Sequence, residues 1–314
     1  MTGRRGRKSR KAKKKSLGML ILVLAALSGN IFLNDTVSIK VPEAEQVYAE
    51  TEDTGELEVH FIDVGQGDAT LIFQRDHAML IDGGENNRGW QIVDYLNYLG
   101  IEHLDYVIGT HPDSDHIGGL DTVIENISCN IVMMPELERD TASYEGIVQA
   151  VEEQGVKSIS PKPGETYELG NAIFTILAPN DTYDNINDNS IALRLVHGDN
   201  SFLFTGDAEE EAEDDMLKSG RELASDVYKA AHHGSSGANS ELFLMVVKPT
   251  YAVISCGENN EYGHPHSEVL NRLRMLGTEV YRTDEQGTIV AVSDGSEISF
   301  NMSSTDSWQS GQNF

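Results

Sequence analysis

The sequence predicts an α+β fold in which two mixed sheets pack face to face with helices outside. A run of strands opens the globular part, and strands then alternate with helices, twice over. Several apolar strands end in dense polar clusters, which is where such folds place their chemistry.

The first 15 residues carry nine basic side chains and no acid. An eleven-residue apolar run follows at 17–27, extended weakly by Ile31, Phe32 and Leu33. A membrane-spanning helix needs about 20 apolar residues, so the run fits a signal-peptide core better, with Val47, Tyr48 and Ala49 resembling a cleavage site. An uncleaved anchor is the alternative for residues 1–49. Either way the remainder is expected outside the cytoplasm, secreted or anchored to the outer face of the membrane, which it touches only through this segment. The whole chain carries a net charge of −28. Without the basic block, the other 14 basic residues face 51 acids, a balance near −37. That body lacks the footprint of a protein that grips nucleic acid by a basic surface. Cys129 and Cys256 sit in or beside apolar runs without zinc-ribbon spacing, and read as free thiols.

Residues 50–56 read as a linker, and 57–302 as the globular domain. Residues 57–64 alternate as a strand, and 65–68 make a tight turn. Segments 69–73 and 78–81 form a hairpin that ends in Asp82, Gly83 and Gly84. Helical spacing runs over 90–99, with Gly100 as the stop. A buried strand at 104–109 leads to the polar loop 110–119. A helix at 120–127, a strand at 131–134 and a helix at 144–153 complete the first half. Strands at 173–178, 191–196 and 201–204 open the second, the last two joined by a turn at 197–200. Then come an acidic helix at 208–218, a strand at 226–231, a helix at 240–247, a strand at 251–255 and a helix at 266–276. Strands near 279–282, 288–292 and 297–300 finish the domain, and the polar tail 303–314 is expected to fray.

The loop offers His111, Asp113, Asp115 and His116 within six residues. In extended chain His111 and Asp113 point the same way, and Asp115 and His116 lie where the backbone turns. One loop could therefore serve two metals. Asp207, at the end of an apolar strand, could bridge them, and His232, at the end of another, could complete the second set. His60 and His197 read as structural; His77 and His103 have no assigned role.

The pattern HxDxDHxGG at 111–119, TGD at 205–207 and HHGS at 232–235 resembles the metallo-β-lactamase-fold hydrolases. More narrowly, residues 63–69 (DVGQGDA), 80–84 (LIDGG), 189–194 (NSIALR), 204–209 (FTGDAE) and 262–267 (YGHPHS) resemble the hydrolase domain of ComEC-type competence proteins. The resemblance spans roughly residues 57–300 in order. It implies an αββα sandwich with the metal site at one edge. It makes His111, Asp113, Asp115, His116, Asp207 and His232 ligands to two divalent ions, zinc or manganese, and Asp82 the buried carboxylate that orients the loop. Two departures stand out. Asp113 replaces the second histidine of the usual loop, and Asn189 and Ser190 occupy the stretch of the usual third-motif histidine. An oxygen-rich first position moves preference from zinc toward manganese.

Such a site implies a metal-bound hydroxide attacking a phosphoryl centre. Asp115 could orient the water, and His264 could contact a phosphoryl oxygen or protonate a leaving group. Asp68, Asn189, His233 and Ser235 are candidates for substrate contact or for support of the ligands. The expected activity is a phosphodiesterase or nuclease, with a phosphodiester substrate, DNA among them. A phosphoesterase on cell-wall or choline-bearing polymers and a non-catalytic surface-binding member are the alternatives. The acidic body opposes tight non-specific DNA binding, an effect that Lys229 or Arg194 could offset if they face the site.

Overall fold

Strand β1 (Leu57–Phe61) sets the pattern for the first sheet. Leu57, Val59 and Phe61 alternate onto one face and are fully buried between the two sheets. The computed structural model describes residues 55–311. The expected signal or anchor segment, linker residues 50–54 and tail residues 312–314 lie outside the described residues.

In chain order the strands of the first sheet are β1, β2 (Thr70–Gln74), β3 (His77–Ile81), β4 (His103–Ile108), β5 (Ser128–Met133) and β6 (Lys157–Ile159). The second sheet takes β7 (Thr166–Leu169), β8 (Ala172–Ala178), β9 (Ala192–His197), β10 (Asn200–Phe204), β11 (Val227–Lys229), β12 (Tyr251–Ile254) and β13 (Glu279–Arg282). Strands β14 (Ile289–Ser293) and β15 (Ile298–Phe300) return to the first. The sheet orders are β15-β14-β1-β2-β3-β4-β5-β6 and β13-β12-β11-β10-β9-β8-β7. Both are mixed. Hairpins such as β2–β3 and β9–β10 pair antiparallel, while β3–β4–β5–β6 and β10–β11–β12–β13 run parallel.

Helices cover both outer faces. On the first sheet, α1 (Gly89–Tyr98), the short α2 (Ser114–Ile117), α3 (Leu120–Asn126) and α4 (Ala142–Gln154) bury Ile92, Leu96, Ile117, Val123 and Ile147 against Leu71, Leu80 and Val107. On the second, α5 (Glu210–Lys218), α6 (Glu241–Val247) and α7 (Ser267–Leu276) bury Met216, Phe243 and Leu273 against Leu203, Tyr228 and Ala252. A one-turn helix, α8 (Thr283–Gln286), precedes β14. The four layers make an αββα sandwich. Helix boundaries follow local chemistry. The Thr141 hydroxyl accepts from the Tyr144 N–H and Gly155 closes α4 at φ 65°, and the Ser240 hydroxyl accepts from the Phe243 N–H to start α6.

Three features depart from the expectations. Strands β6 and β7 carry no apolar alternation, being short and largely exposed, and pairing with β5 and β8 makes them strands. The strand expected at 226–231 stops at Lys229, because the chain then turns sharply through His232 and His233. The tail does not fray as far as residue 311. Thr305 donates its N–H to the Val280 carbonyl on edge strand β13, the Gln309 carbonyl accepts from Arg282, and Trp308 packs on the outer core beneath Arg274. A polar composition conceals this role, which is to cover a sheet edge. Cys129 and Cys256 are free thiols, the second of them buried.

A polar clamp joins the sheets at one end. Buried His197 on β9 contacts the Gln74 amide nitrogen on β2 at 3.1 Å and the Ser293 hydroxyl on β14 at 2.9 Å, and Ser293 also bonds Asn200. Removing the imidazole leaves buried partners unsatisfied. His197→Ala is expected to cost about 1–3 kcal/mol in urea unfolding, with metal content unchanged. Burial pushes the His197 pKa below its ordinary value of 6.5. The folded state therefore binds fewer protons than the unfolded, and this contribution is full above about pH 6.5 and lost as pH falls below it. The stability advantage of wild type over His197→Ala should shrink from pH 7 to pH 5. A constant advantage would reject a buried neutral imidazole.

Candidate metal centre

The site forms where β3, β4, β10 and β11 end together. Asp82 follows β3 with φ 60°, a left-handed conformation that aspartate tolerates better than most residues. The turn aims its buried carboxylate at the polar loop. One oxygen accepts the Thr110 N–H at 2.8 Å; the other accepts the Thr110 hydroxyl and His116 Nδ1, both at 2.8 Å. With Nδ1 engaged as a donor, His116 presents the bare lone pair of Nε2 to the site. Gly119 lets the loop close on the Asp82 turn, since a Cβ there would collide with the Gly83 carbonyl oxygen.

His116 Nε2 faces Asp207 Oδ1 at 3.1 Å, yet both are buried without a hydrogen-bond partner. His111 Nε2 is likewise buried and unpartnered, 3.7 Å from Asp113 Oδ2. Convergent acceptors without donors are what a cation satisfies. Asp115 Oδ2 lies 3.2 Å from His233 Nε2 and 3.9 Å from His116 Nε2. Asp207 Oδ2 lies 3.6 Å from His233 Nε2, and the Asp207 N–H donates to the Ser190 hydroxyl at 3.2 Å.

Spacing leaves open which of His232 and His233 would bind metal, and the fold separates them. Both take left-handed backbone, φ 50° and 55°, and the turn sends their rings in different directions. His233 Nδ1 donates to the Ser255 carbonyl at 3.0 Å, so Nε2 points into the cluster. His232 sits further out, 24% exposed, with Nδ1 3.0 Å from Glu209 Oε1 and Nε2 3.8 Å from Asp207. The inner position thus belongs to the histidine expected as support.

Asp68, His116, Asp207 and His233 form a buried cluster able to hold a metal, with ligand atoms within 4.8 Å of one another. Asp68 nevertheless approaches the Nδ1 side of both rings, at 3.9 Å from His116 and 3.4 Å from His233. Its Oδ2 binds Lys229 Nζ at 2.6 Å, also buried. Asp68 therefore backs the imidazoles, and the inward-facing donors are His116 Nε2, His233 Nε2, Asp115 and Asp207.

Burial raises the Asp115 and Asp207 pKa values, but the His116 and His233 charges outweigh it and hold both carboxyls well below the usual range. For Asp68, Lys229 and His233 overcome burial and bring it to about 2. Burial disfavours the imidazolium of His233, yet Asp207 and Asp68 raise it to about 10; His116 is raised in the same way by Asp207 and Asp82. The carboxylates thus create a strong demand for positive charge inside the protein. Buried His264 has the opposite setting. Burial first, then the His233 and His232 charges, lower it to about 3, which favours the neutral imidazole.

Other expectations fare unevenly. Asn189 directs its amide to the Tyr183 and Asn185 backbone, so it locks its own loop and does not reach the centre. Ser235 shapes the turn, its hydroxyl accepting from the Gly237 N–H. Lys229 comes to the site but is paired with Asp68, and Arg194 bonds the Ala224 carbonyl. Reading the sequence missed the roles of Thr110, Ser190 and Glu209. All three had a positional signal, Thr110 preceding His111, and Ser190 and Glu209 lying within the motifs at 189–194 and 204–209.

A four-layer sandwich with histidines and carboxylates gathered at the ends of its strands is a metallohydrolase-type fold and site. The family model described as the metallo-beta-lactamase superfamily matches residues 62–258, and the chain belongs to that superfamily. It is 32% identical over 255 residues to ComE operon protein 3 of Bacillus subtilis, covering 75% of this chain and 33% of that protein. It is 34% identical over 232 residues to competence protein ComA of Neisseria gonorrhoeae, covering 72% and 31%. It is 31% identical over 238 residues to recombination protein 2 of Haemophilus influenzae, covering 74% and 28%. The chain spans about a third of the length of these relatives, and it resembles ComEC-type competence proteins over that part. Among solved structures, the metallo-beta-lactamase fold protein YhfI from Bacillus subtilis aligns with TM-score 0.52 and 15% identity, covering 72% of this chain and 96% of that one. CmlA, a diiron beta-hydroxylase from Streptomyces venezuelae, aligns with TM-score 0.51 and 14% identity, covering 74% and 53%. These two share the fold alone.

His233→Ala should lose most of its bound divalent metal, read by mass spectrometry of the purified protein, whereas His232→Ala should retain most of it. The reverse order would return His232 to the inner position. Asp82→Ala should weaken metal affinity about 10- to 100-fold by releasing His116.

Proposed function

We propose that the protein is a metal-dependent phosphodiesterase acting on nucleic acid outside the cytoplasm. The observation that carries the metal dependence is the buried convergence of His116 Nε2, His233 Nε2, Asp115 and Asp207, in which His116 Nε2 and Asp207 Oδ1 face each other without a donor. Two divalent ions, zinc or manganese, fit this donor set together with His111, Asp113 and His232. When bound, such ions lower the pKa of water and neutralise charge on phosphoryl oxygens. The names of the relatives, competence and recombination, favour nucleic acid as the phosphodiester.

The protein's own groups then have distinct tasks. Asp82 and Thr110 fix the His116 tautomer. Lys229 and Asp68 brace His116 and His233 from behind. Asp115, the more solvent-open of the inner carboxylates, orients a water. Neutral His264 offers a hydrogen bond to a phosphoryl oxygen or leaving group at the rim. The basic block and the apolar run at 17–27 support an extracytoplasmic location. Among the described residues no helix is long and apolar enough to cross a membrane.

The test is hydrolysis of bis-p-nitrophenyl phosphate, single- and double-stranded DNA, a β-lactam and a lactone, with manganese or zinc. Phosphodiester turnover should be abolished by a chelator and restored by added metal. Asp207→Ala should reduce it by about 100-fold or more. Turnover of only the β-lactam and the lactone would reject the substrate class.

A further inference from the structure

Beside the metal centre stands an aromatic side chain with no evident task in the fold. Tyr262 is 65% exposed, and among the described residues the other aromatic side chains exposed to a similar degree are Trp90 and Tyr98. One face of its ring lies on His264, with centroids 5.5 Å apart and planes 18° from parallel. His264 in turn lies 5.5 Å from His232 and 6.0 Å from His233. The exposed ring is therefore two ring contacts away from the candidate ligands.

The loop around Tyr262 is firmly held. The Asn260 amide donates to the Gly257 and His264 carbonyls and accepts from the His264 N–H. His266 Nδ1 accepts from the Ser236 N–H at 2.9 Å, so its Nε2 carries the proton and donates to the Tyr262 carbonyl at 3.2 Å. Gly311 donates its N–H to the Pro265 carbonyl, tying the loop to the C-terminal segment. A preorganised flat surface binds without the cost of ordering a mobile chain.

The two cations that might aid substrate binding are engaged elsewhere. Lys229 is committed to Asp68, and Arg194 to the Ala224 carbonyl. A phosphodiester arriving at this acidic protein has its charge met at the metal centre, so added affinity must come from its uncharged parts. We infer that Tyr262 is a stacking platform for an unpaired nucleobase next to the scissile phosphate, making single-stranded nucleic acid the preferred form of the substrate. Every base has a π face, so such a contact is tolerant of sequence, and a base inside a duplex cannot reach it. The inference rests on the phosphodiesterase reading for its choice of ligand.

Binding of a hydrolysis-resistant phosphorothioate oligothymidylate to the manganese-loaded protein, measured by fluorescence anisotropy, tests it, with an abasic oligomer of the same backbone as the second probe. Wild type should prefer the base-bearing oligomer. Tyr262→Ala should bind it about 5- to 100-fold more weakly and bind the abasic oligomer as wild type does. Tyr262→Trp and Tyr262→Phe should restore the preference. Equal binding of the two oligomers by wild type, or equal weakening of both in Tyr262→Ala, overturns the platform. Turnover of unmodified oligomers is followed in parallel. Absence of turnover with an intact base preference would reject the phosphodiesterase reading and leave the platform standing.

Discussion

The site depends on one buried carboxylate. Asp82 closes β3 in a left-handed turn and takes three hydrogen bonds from the start of the metal loop. Those bonds join the ends of two neighbouring parallel strands and set the tautomer and direction of His116. A carboxylate taken out of water is costly unless its oxygens are satisfied, and here the loop itself satisfies them. The same contacts that make the buried charge tolerable therefore position a candidate ligand. Asp68 repeats the device on the opposite side. Its partner, Lys229, closes the parallel strand β11, and the pair braces His116 and His233 from behind. Sheet registry thereby determines where the imidazoles stand.

Much of this was legible in the sequence because it rests on local pattern. Strands buried on one face alternate, hairpins carry turn residues, and helices show apolar spacing and stops, so the two-sheet sandwich followed from order alone. The loop at 111–116 and Asp207 could be placed at strand ends for the same reason. What was not legible depends on backbone direction or distant partners. Two adjacent histidines look equivalent in sequence, and only the consecutive left-handed residues decide that His233 faces inward. Asn189 looks like a site residue by position, but its amide is consumed by Tyr183 and Asn185. Strands β6 and β7 exist through pairing rather than through their own hydrophobic pattern, and the tail is ordered by a strand edge that composition cannot reveal.

Under the proposed function, the electrostatics would let an acidic protein accommodate an anionic substrate. Carboxylates at the centre are matched by imidazoles and by one buried lysine, so the cations that might draw in a phosphate are already engaged. Attraction has to be concentrated at the metal position, and the rim contributes neutral groups, His264 and Tyr262. This separates charge recognition from recognition of the rest of the substrate. A surface without a broad basic field also restrains binding to nucleic acid wherever the metal centre is not engaged.

The donors divide into two unequal sets. In the inner set His116, His233 and Asp207 are closed to solvent and the two imidazoles are braced by Asp82, Asp68 and Lys229, while Asp115 is 27% exposed. The outer set is looser: Asp113 is 41% exposed and His232 24% exposed, and only His111 is fully buried. An ion at the outer set would retain more of its water and gain less from preorganised ligands. The outer set's one carboxylate, Asp113, stands where the wider superfamily has a histidine. A weakly held, solvent-open site would respond to metal concentration. The exposure of the Asp113 carboxylate would therefore make an ion at the outer position the more weakly held of the two.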